Sequence, residues 1–304
     1  MNYYASISGG KDSAAMYLHL REQGIEAQKV FFDTGWEHPA TYHYLSGPLA
    51  EAIGKIITVQ PRIPDLEAEP LRLALELEAM LGREIPSAMI RWTVKKAMFP
   101  SKTRRWCTDT LKIKAARDFY RERMAQGETP INCIGIRAGE SKARAKLPER
   151  ELSTSIGVMV WRPIHHFTEA DVIAIHSKHN LAPNPLYLAG SQRVGCWPCI
   201  YSRKAEIRLI AEQDQPRIKM LQRFEAVIQQ LNEQRCKLKG EETRHKPTFF
   251  MDKTGDMYPS IDEVVSWSKT SHGGKQFSMF RDDEVGSPPC MRWGLCDLPP
   301  ELDS

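Results

Sequence analysis

Apolar positions along this chain follow two rhythms. Short runs rich in apolar and β-branched residues recur at Tyr3–Ile7, Lys29–Phe32, Ile56–Val59, Ile131–Ile136 and Val158–Trp161. Their lengths suit strands covered on both faces. Between them, Ser13–Gln23, Pro39–Ala52, Leu66–Leu81 and Ile113–Met124 carry helical patterns, with apolar residues three and four apart. Strands alternating with helices predict an α/β fold, a mostly parallel twisted sheet with helices on both faces. Beyond the last strand run the rhythm turns helical. Thr168-Glu169-Ala170-Asp171 has the form of a capping box and opens a helix to about His179. Arg203–Arg235 reads as two long helices broken near Gln215-Pro216, and Ser260-Ile261-Asp262-Glu263 offers another helix start. The pattern predicts a nucleotide-binding domain over 1–210 and a mainly helical and irregular C-terminal extension over 211–304.

The junction of the first strand and helix reads Ser8-Gly9-Gly10-Lys11-Asp12-Ser13. Two glycines let the backbone bend sharply and bring its N–H groups close to a ligand. The helix start adds unpaired donors and a partial positive charge. Lys11 adds a full charge, and Ser8 and Ser13 add hydroxyls. These are the parts of a phosphate-binding turn, although the spacing of a Walker A loop is absent. Asp33-Thr34-Gly35 follows the second strand run in the same way. Ligands of parallel sheets sit beyond the C-terminal strand ends, where both segments fall. Asp33 suits hydrogen bonds from a ribose or adenine group, with a capping role as the competing reading.

Composition is that of an ordinary soluble domain, 41% hydrophobic and 26% charged. No apolar run is long enough to span a bilayer, and the first strand begins almost at Met1, so a cytoplasmic protein without membrane partners is expected. The net charge of +4 is unevenly spread. Between Arg91 and Arg117 lie Arg91, Lys95, Lys96, Lys102, Arg104, Arg105, Lys112, Lys114 and Arg117, with Asp109 the only acid. That stretch is either an electrostatic footprint for a nucleic acid or partner protein, or a solvated helix face. The 7 cysteines, an odd number, argue against a disulfide framework and for metal or redox chemistry. Cys196-x-x-Cys199 has metal-ligand spacing. Cys133 falls inside an apolar strand and reads as core.

The Ser8–Ser13 loop resembles the PP-loop of the adenine-nucleotide α-hydrolase superfamily. Further segments resemble the phosphoadenosine phosphosulfate reductase family, in order from about Tyr3 to Arg208. They are Asp33-Thr34-Gly35, Gly135-Ile136-Arg137 with Ser141 and Arg144-Ala145, Trp161-Arg162-Pro163-Ile164, Asn184-Pro185-Leu186-Tyr187, and Gly195-Cys196-Trp197-Pro198-Cys199. The chain is identified as a member of that family. The resemblance implies a PP-loop fold that binds ATP through Ser6, Ser8, Gly9, Gly10, Lys11, Asp12, Ser13, Asp33, Thr34, Gly35, Arg137, Ser141 and Arg144. Lys11, Asp12 and Arg137 would be catalytic, with magnesium assisting cleavage between the α and β phosphates. Family context also makes His165 a nucleotide contact or a structural residue. Cys107 resembles the family's upstream cluster cysteine. With Cys196, Cys199 and either Cys290 or Cys296, it implies a 4Fe–4S cluster, with tetrahedral zinc or free thiols as alternatives.

Two departures weigh on the reaction. Reductases of the family usually lack an intact Ser-Gly-Gly-Lys-Asp-Ser loop. They also end in a Glu-Cys-Gly-Leu-His tail, whereas the nearest text here is Trp293-Gly294-Leu295-Cys296-Asp297. Both favour an ATP pyrophosphatase that activates a substrate for sulfur transfer, fed by a sulfur donor protein. The overall resemblance is to reductase-like proteins of DNA phosphorothioation systems and phage operons. The rivals are a thioredoxin-dependent sulfonucleotide reductase with Cys296 as nucleophile, and a non-catalytic nucleotide sensor or scaffold with a structural cluster.

Overall fold

The computed structural model describes residues 1–243, 246–250, 259–270 and 293. The chain opens with β1 (Asn2–Ser6), α1 (Lys11–Glu22) and β2 (Ala27–Phe32). Then come α2 (Pro39–Ser46), α3 (Pro48–Ile53), β3 (Ile56–Val59), α4 (Ala68–Met80) and α5 (Ala88–Lys96). A short α6 (Trp106–Thr108) runs through a π-helical turn (Asp109–Ile113) into α7 (Lys114–Ala125) and β4 (Pro130–Ile134). After α8 (Lys142–Ala145) come β5 (Arg150–Ser153), β6 (Val158–Trp161), α9 (Glu169–Lys178) and α10 (Pro185–Leu188). Helices α11 (Lys204–Gln213), α12 (Gln215–Leu238) and α13 (Ile261–Ser268) follow.

Six strands form one sheet in the order β3-β2-β1-β4-β6-β5. All neighbours are parallel except β5 and β6. From β1 the chain first builds outward through β2 and β3, then returns to place β4 on the other side of β1. The strand order therefore reverses between β1 and β4, and a crevice opens beyond their C-terminal ends. Ser6 pairs with Ile134 in the last register of that pair, so the segments after both strands face the crevice.

Alternation of side chains across the strands divides the core. Ala5 and Phe31 face α1, α2, α3 and α9 in one apolar cluster with Leu18, Leu49 and Val172. Tyr4 and Val30 face the opposite way, onto Phe119 and Tyr120 of α7. A third cluster joins Trp36, Leu73, Leu77, Ile90 and Phe99 to Phe224, Phe249 and Val264, drawing on residues from both sides of position 210. Beneath it a buried Arg91 guanidinium makes two hydrogen bonds to Glu78, at 2.8 and 2.7 Å. Among the described residues, no helix is long and apolar enough to cross a membrane.

The five expected strands are all present, and the capping boxes at Thr168 and Ser260 form. Three features depart from the pattern. The helix expected over 39–52 is two helices, because Gly47 turns the chain and Pro48 restarts it at its first helical position. Strand β5 is polar and lies on an edge, so it lacks the apolar run that marks central strands. Helix α5 is short and includes β-branched Thr93 and Val94. Its N-terminus is fixed by Ser87, whose Oγ accepts from Ile90 N–H.

Candidate active site

The Ser8–Ser13 loop forms as the sequence predicts, between β1 and α1. Gly9 has a φ of +74°, and a β-carbon there would come within 2.8 Å of Thr41, so glycine is needed on both counts. Gly10 caps α1 without a side-chain hydrogen bond, while the Ser8 and Gly10 N–H groups donate to Ser13 Oγ at 3.1 Å and Ser8 Oγ at 3.4 Å, hydroxyls that an incoming anion could replace. The loop's carbonyls are held from behind. Asn184 Nδ2 donates to Gly9 O at 3.2 Å, Ser13 Oγ donates to Gly10 O at 2.9 Å, and His176 Nε2 lies 2.9 Å from Lys11 O. The Lys11 N–H donates to Tyr187 Oη at 3.2 Å. With its oxygens tied into the protein, the loop has donors to offer an anion.

A cavity of about 640 Å3 lies beyond the loop, in the crevice at the strand reversal. Ser6, Ser8, Gly10, Asp12 and Ser13 line one end of it, with Thr34 and Arg144. Gly135, straight after β4, completes that end. A β-carbon at Gly135 would stand 2.6 Å from Asp12 O and 2.9 Å from Ser13 Cα, so this glycine sets how closely β4's end approaches the loop. Asp12 is paired with Arg137, and Arg144 with Glu140.

Other expected nucleotide residues are placed elsewhere. Lys11 does not line the cavity. Its ammonium bonds Glu169 at 2.8 Å and sits 5.0 Å from the Tyr187 ring centre. Arg137 lines a second recess of about 430 Å3 beside His165, His166 and Glu169. Asp33 is buried with its carboxylate engaged by Gly35 N–H at 2.7 Å, Tyr42 O–H at 2.7 Å and Arg83 at 3.2 Å. It shapes the turn after β2 through its own chain two residues on, and the N-cap of the next helix is His38 rather than Asp33. Gly35, with a φ of +72°, passes 2.7 Å from Ser87 Cα where a β-carbon would sit. Ser141 caps α8 by accepting from Arg144 N–H at 3.1 Å. His165 Nε2 lies 3.0 Å from Arg144 O.

The same cavity is also lined by Cys107, Cys196 and Cys199. Cys107 is presented by α6. The Cys196–Cys199 turn is stitched to the segment after β2, where Trp197 N–H donates to Trp36 O and Trp36 Nε1 donates to Pro198 O, both at 2.9 Å. Burial pushes the Cys196 thiol up to about 12 and raises Cys107. Lys112, on the π-helical turn, lines the cavity too. Solvent reaches its side chain through the opening, yet protein surrounds it, and the neighbouring Cys196 raises its pKa above that of an ordinary lysine. Buried Glu37 is raised by desolvation. Among the described residues no three His, Cys, Asp or Glu side chains converge as a single metal ion would require. Cys290 and Cys296 lie outside the described residues. Cys133 is fully buried in β4, as expected of a core residue.

In the sequence, Lys112, Gly135, Asn184 and Glu169 had places in motifs or charge runs but no role at the site, and His176 had no place at all. Asn184 and Tyr187 belong to a segment whose resemblance to the family was visible. Lys112 was hidden in a basic run, because a π-helical turn changes which residues share a face.

The model for the phosphoadenosine phosphosulfate reductase domain matches residues 66–202. That span includes the three cysteines and Arg137 but begins after the glycine loop. The chain is 31% identical over 307 residues to an uncharacterized 37.8 kDa protein of Escherichia phage 186, covering 90% of each. An adenosine 5′-phosphosulfate reductase of Mesorhizobium japonicum is 25% identical over 196 residues, 63% of each chain. Among solved structures, a phosphoadenylyl-sulfate reductase from Candida auris is 21% identical with a TM-score of 0.45, covering 65% of this chain and 82% of that one. The parallel sheet with its glycine loop, the matched domain and a likeness spanning nine-tenths of a relative agree: the chain belongs to the phosphoadenosine phosphosulfate reductase family of PP-loop proteins.

Proposed function

We propose that this protein is an ATP pyrophosphatase that activates a substrate for sulfur transfer. One observation carries the reading: a single cavity is lined both by a phosphate-type loop and by three cysteines. The triphosphate would lie along the N–H groups of Ser8–Ser13, with Lys11 exchanging Glu169 for phosphate. A substrate oxygen would attack the α-phosphorus while the bond to the β-phosphate oxygen breaks, and pyrophosphate would leave with the electron pair. Donors aimed at that developing charge are the main source of acceleration in such reactions. Asp12, the cavity carboxylate that belongs to the loop, would hold magnesium, which supplies further neutralising charge.

Three soft thiols lining one cavity are the donor type of an iron–sulfur cluster. A zinc ion needs its ligands to converge on a point, whereas each thiolate of a 4Fe–4S cluster binds a different iron. Cys107, Cys196 and Cys199 would hold it, with Cys290 as the proposed fourth ligand and Lys112 offsetting its negative charge. When bound, the cluster supplies a soft site that can take up sulfur. Partial likeness to an adenosine 5′-phosphosulfate reductase favours one second reading, reduction of a sulfonucleotide in the same cavity.

The deciding experiment offers anaerobically purified protein ATP, adenylyl sulfate or its 3′-phosphate. The proposal expects AMP and pyrophosphate from ATP. Thioredoxin-dependent sulfite release from a sulfonucleotide, with no ATP cleavage, would overturn it in favour of the second reading.

A further inference from the structure

At the cysteine end of the cavity, three segments distant in sequence bring cations to one face. They are the last turn of α5 (Lys95, Lys96), the loop before α6 (Arg104, Arg105) and the last turn of α12 (Arg235, Lys237). The ends of α5 and α12 are joined directly, since Arg235 Nη1 donates to Lys96 O at 2.7 Å and Asn232 Nδ2 donates to Ala97 O at 3.4 Å. Among the described residues none of these six cations has a carboxylate at ion-pair distance, although the chain pairs many of its other arginines. Indole and phenol rings are interleaved with them. The Lys96 ammonium stands 5.2 Å from the Trp92 ring centre and 5.7 Å from that of Trp106, and the Arg105 guanidinium is 5.1 Å from that of Tyr201. Arg105 and Tyr201 also line the cavity, and Trp106 adjoins Cys107.

We infer that this face binds single-stranded nucleic acid, leading a nucleotide unit to the cysteine end of the cavity. The inference rests on the sulfur-transfer reading and names the substrate class for it. Cations without carboxylate partners track a polyanion, and the half-buried rings of Trp92, Trp106 and Tyr201 between them leave part of their aromatic surface for bases to pack on, which is the combination used for unpaired strands. A solvated helix face would need neither the convergence of three segments nor the rings. An acidic protein would be drawn by the cations but would make no use of the rings.

The test is fluorescence anisotropy with labelled single-stranded DNA and RNA of about twenty nucleotides, chosen to exceed one binding site, and the matching duplex. Salt is varied throughout. Affinity is expected to fall with salt at a log–log slope of about −0.7 per neutralised phosphate. The triple variant Lys95→Glu, Arg104→Glu, Arg235→Glu should weaken binding at least tenfold. Trp92→Ala should weaken it severalfold and leave the slope alone. Should the triple variant fold poorly, Arg104→Ala and Arg235→Ala each serve through a shallower salt slope. The DNA and RNA arms show which backbone is preferred. Wild-type affinity in the charge variants, equal affinity for duplex, or displacement by polyglutamate as efficient as by unlabelled strand would each overturn the inference. ATP binding is measured on the same samples. A charge variant that still binds ATP but not the strand upholds both readings, and strand binding by a protein that never binds ATP sinks only the proposed function.

Discussion

The two ends of the cavity are built in opposite ways. The phosphate end is one contiguous hexapeptide between a strand and a helix, stiffened from behind by Asn184, His176 and Tyr187. The cysteine end is assembled from α6, the π-helical turn and the 196–199 turn, which are nearly ninety residues apart in sequence. A loop whose chemistry lies in its backbone survives many side-chain changes but not a misplaced Cα. A wall whose chemistry lies in thiols has the reverse sensitivity. The two ends should therefore fail separately.

The sharpest separation comes from Lys11→Ala. Loss of the cation that would exchange Glu169 for the leaving pyrophosphate should slow its release by about 10²–10³-fold, with iron content unchanged. A coupled pyrophosphate assay and an iron determination on the same sample check both halves. If turnover matches the wild type, the loop is not the phosphate site. Cys196→Ser is the mirror experiment: most of the iron and the brown colour should be lost while ATP affinity holds. Should ATP binding collapse along with the iron, the two ends are one cooperative unit and the comparison breaks. Gly135→Ala probes the backbone alone. Its methyl group has to displace Asp12 O, which is backbone, so stability should drop by about 1–3 kcal/mol and ATP should bind about tenfold more weakly, in proportion to a loss of about 1.4 kcal/mol. Denaturant melts and calorimetry report the two effects, and a neutral result would mean that β4's end does not set the loop.

The smallest effect is a pH dependence. His176 is buried between Lys11 O and Leu181 O, and burial lowers its pKa below the ordinary 6.5. Below pH 6.5 the unfolded chain takes up a proton that the folded one refuses, so stability present at neutral pH is lost as pH falls from 6.5 through the depressed folded value. The slope is at most about 1.4 kcal/mol per pH unit for this group. His176→Gln should flatten its share of that slope, as read by urea melts at several pH values. An unchanged profile would show that His176 is not held neutral by the fold.

Much of this architecture was legible before any coordinates. Strand and helix rhythms are set by which faces are buried, so the five apolar strands and the helices between them could be read from periodicity. The glycine loop is a local backbone device, and its six residues carry the signal within themselves. The polar edge strand β5 escaped because it has no apolar face of the usual period, and α5 because its apolar face, Met89, Ile90 and Val94, is only about two turns long. Asp33 shows the limit of motif reading. Its place at a strand end suggested hydrogen bonds to a nucleotide, and only the tertiary structure adds that Gly35, Tyr42 and Arg83 also engage its carboxylate. The sequence by itself determined the parallel sheet, the phosphate-type loop and the pair Cys196 and Cys199, since each depends on neighbours along the chain. Cys107 was joined to that pair only through resemblance to the family; tertiary structure alone decided that Lys112 joins them, that the loop and the thiols share a cavity, and that the ends of α5 and α12 meet beside it. Those are contacts between segments far apart in sequence, and packing rather than local preference brings them together.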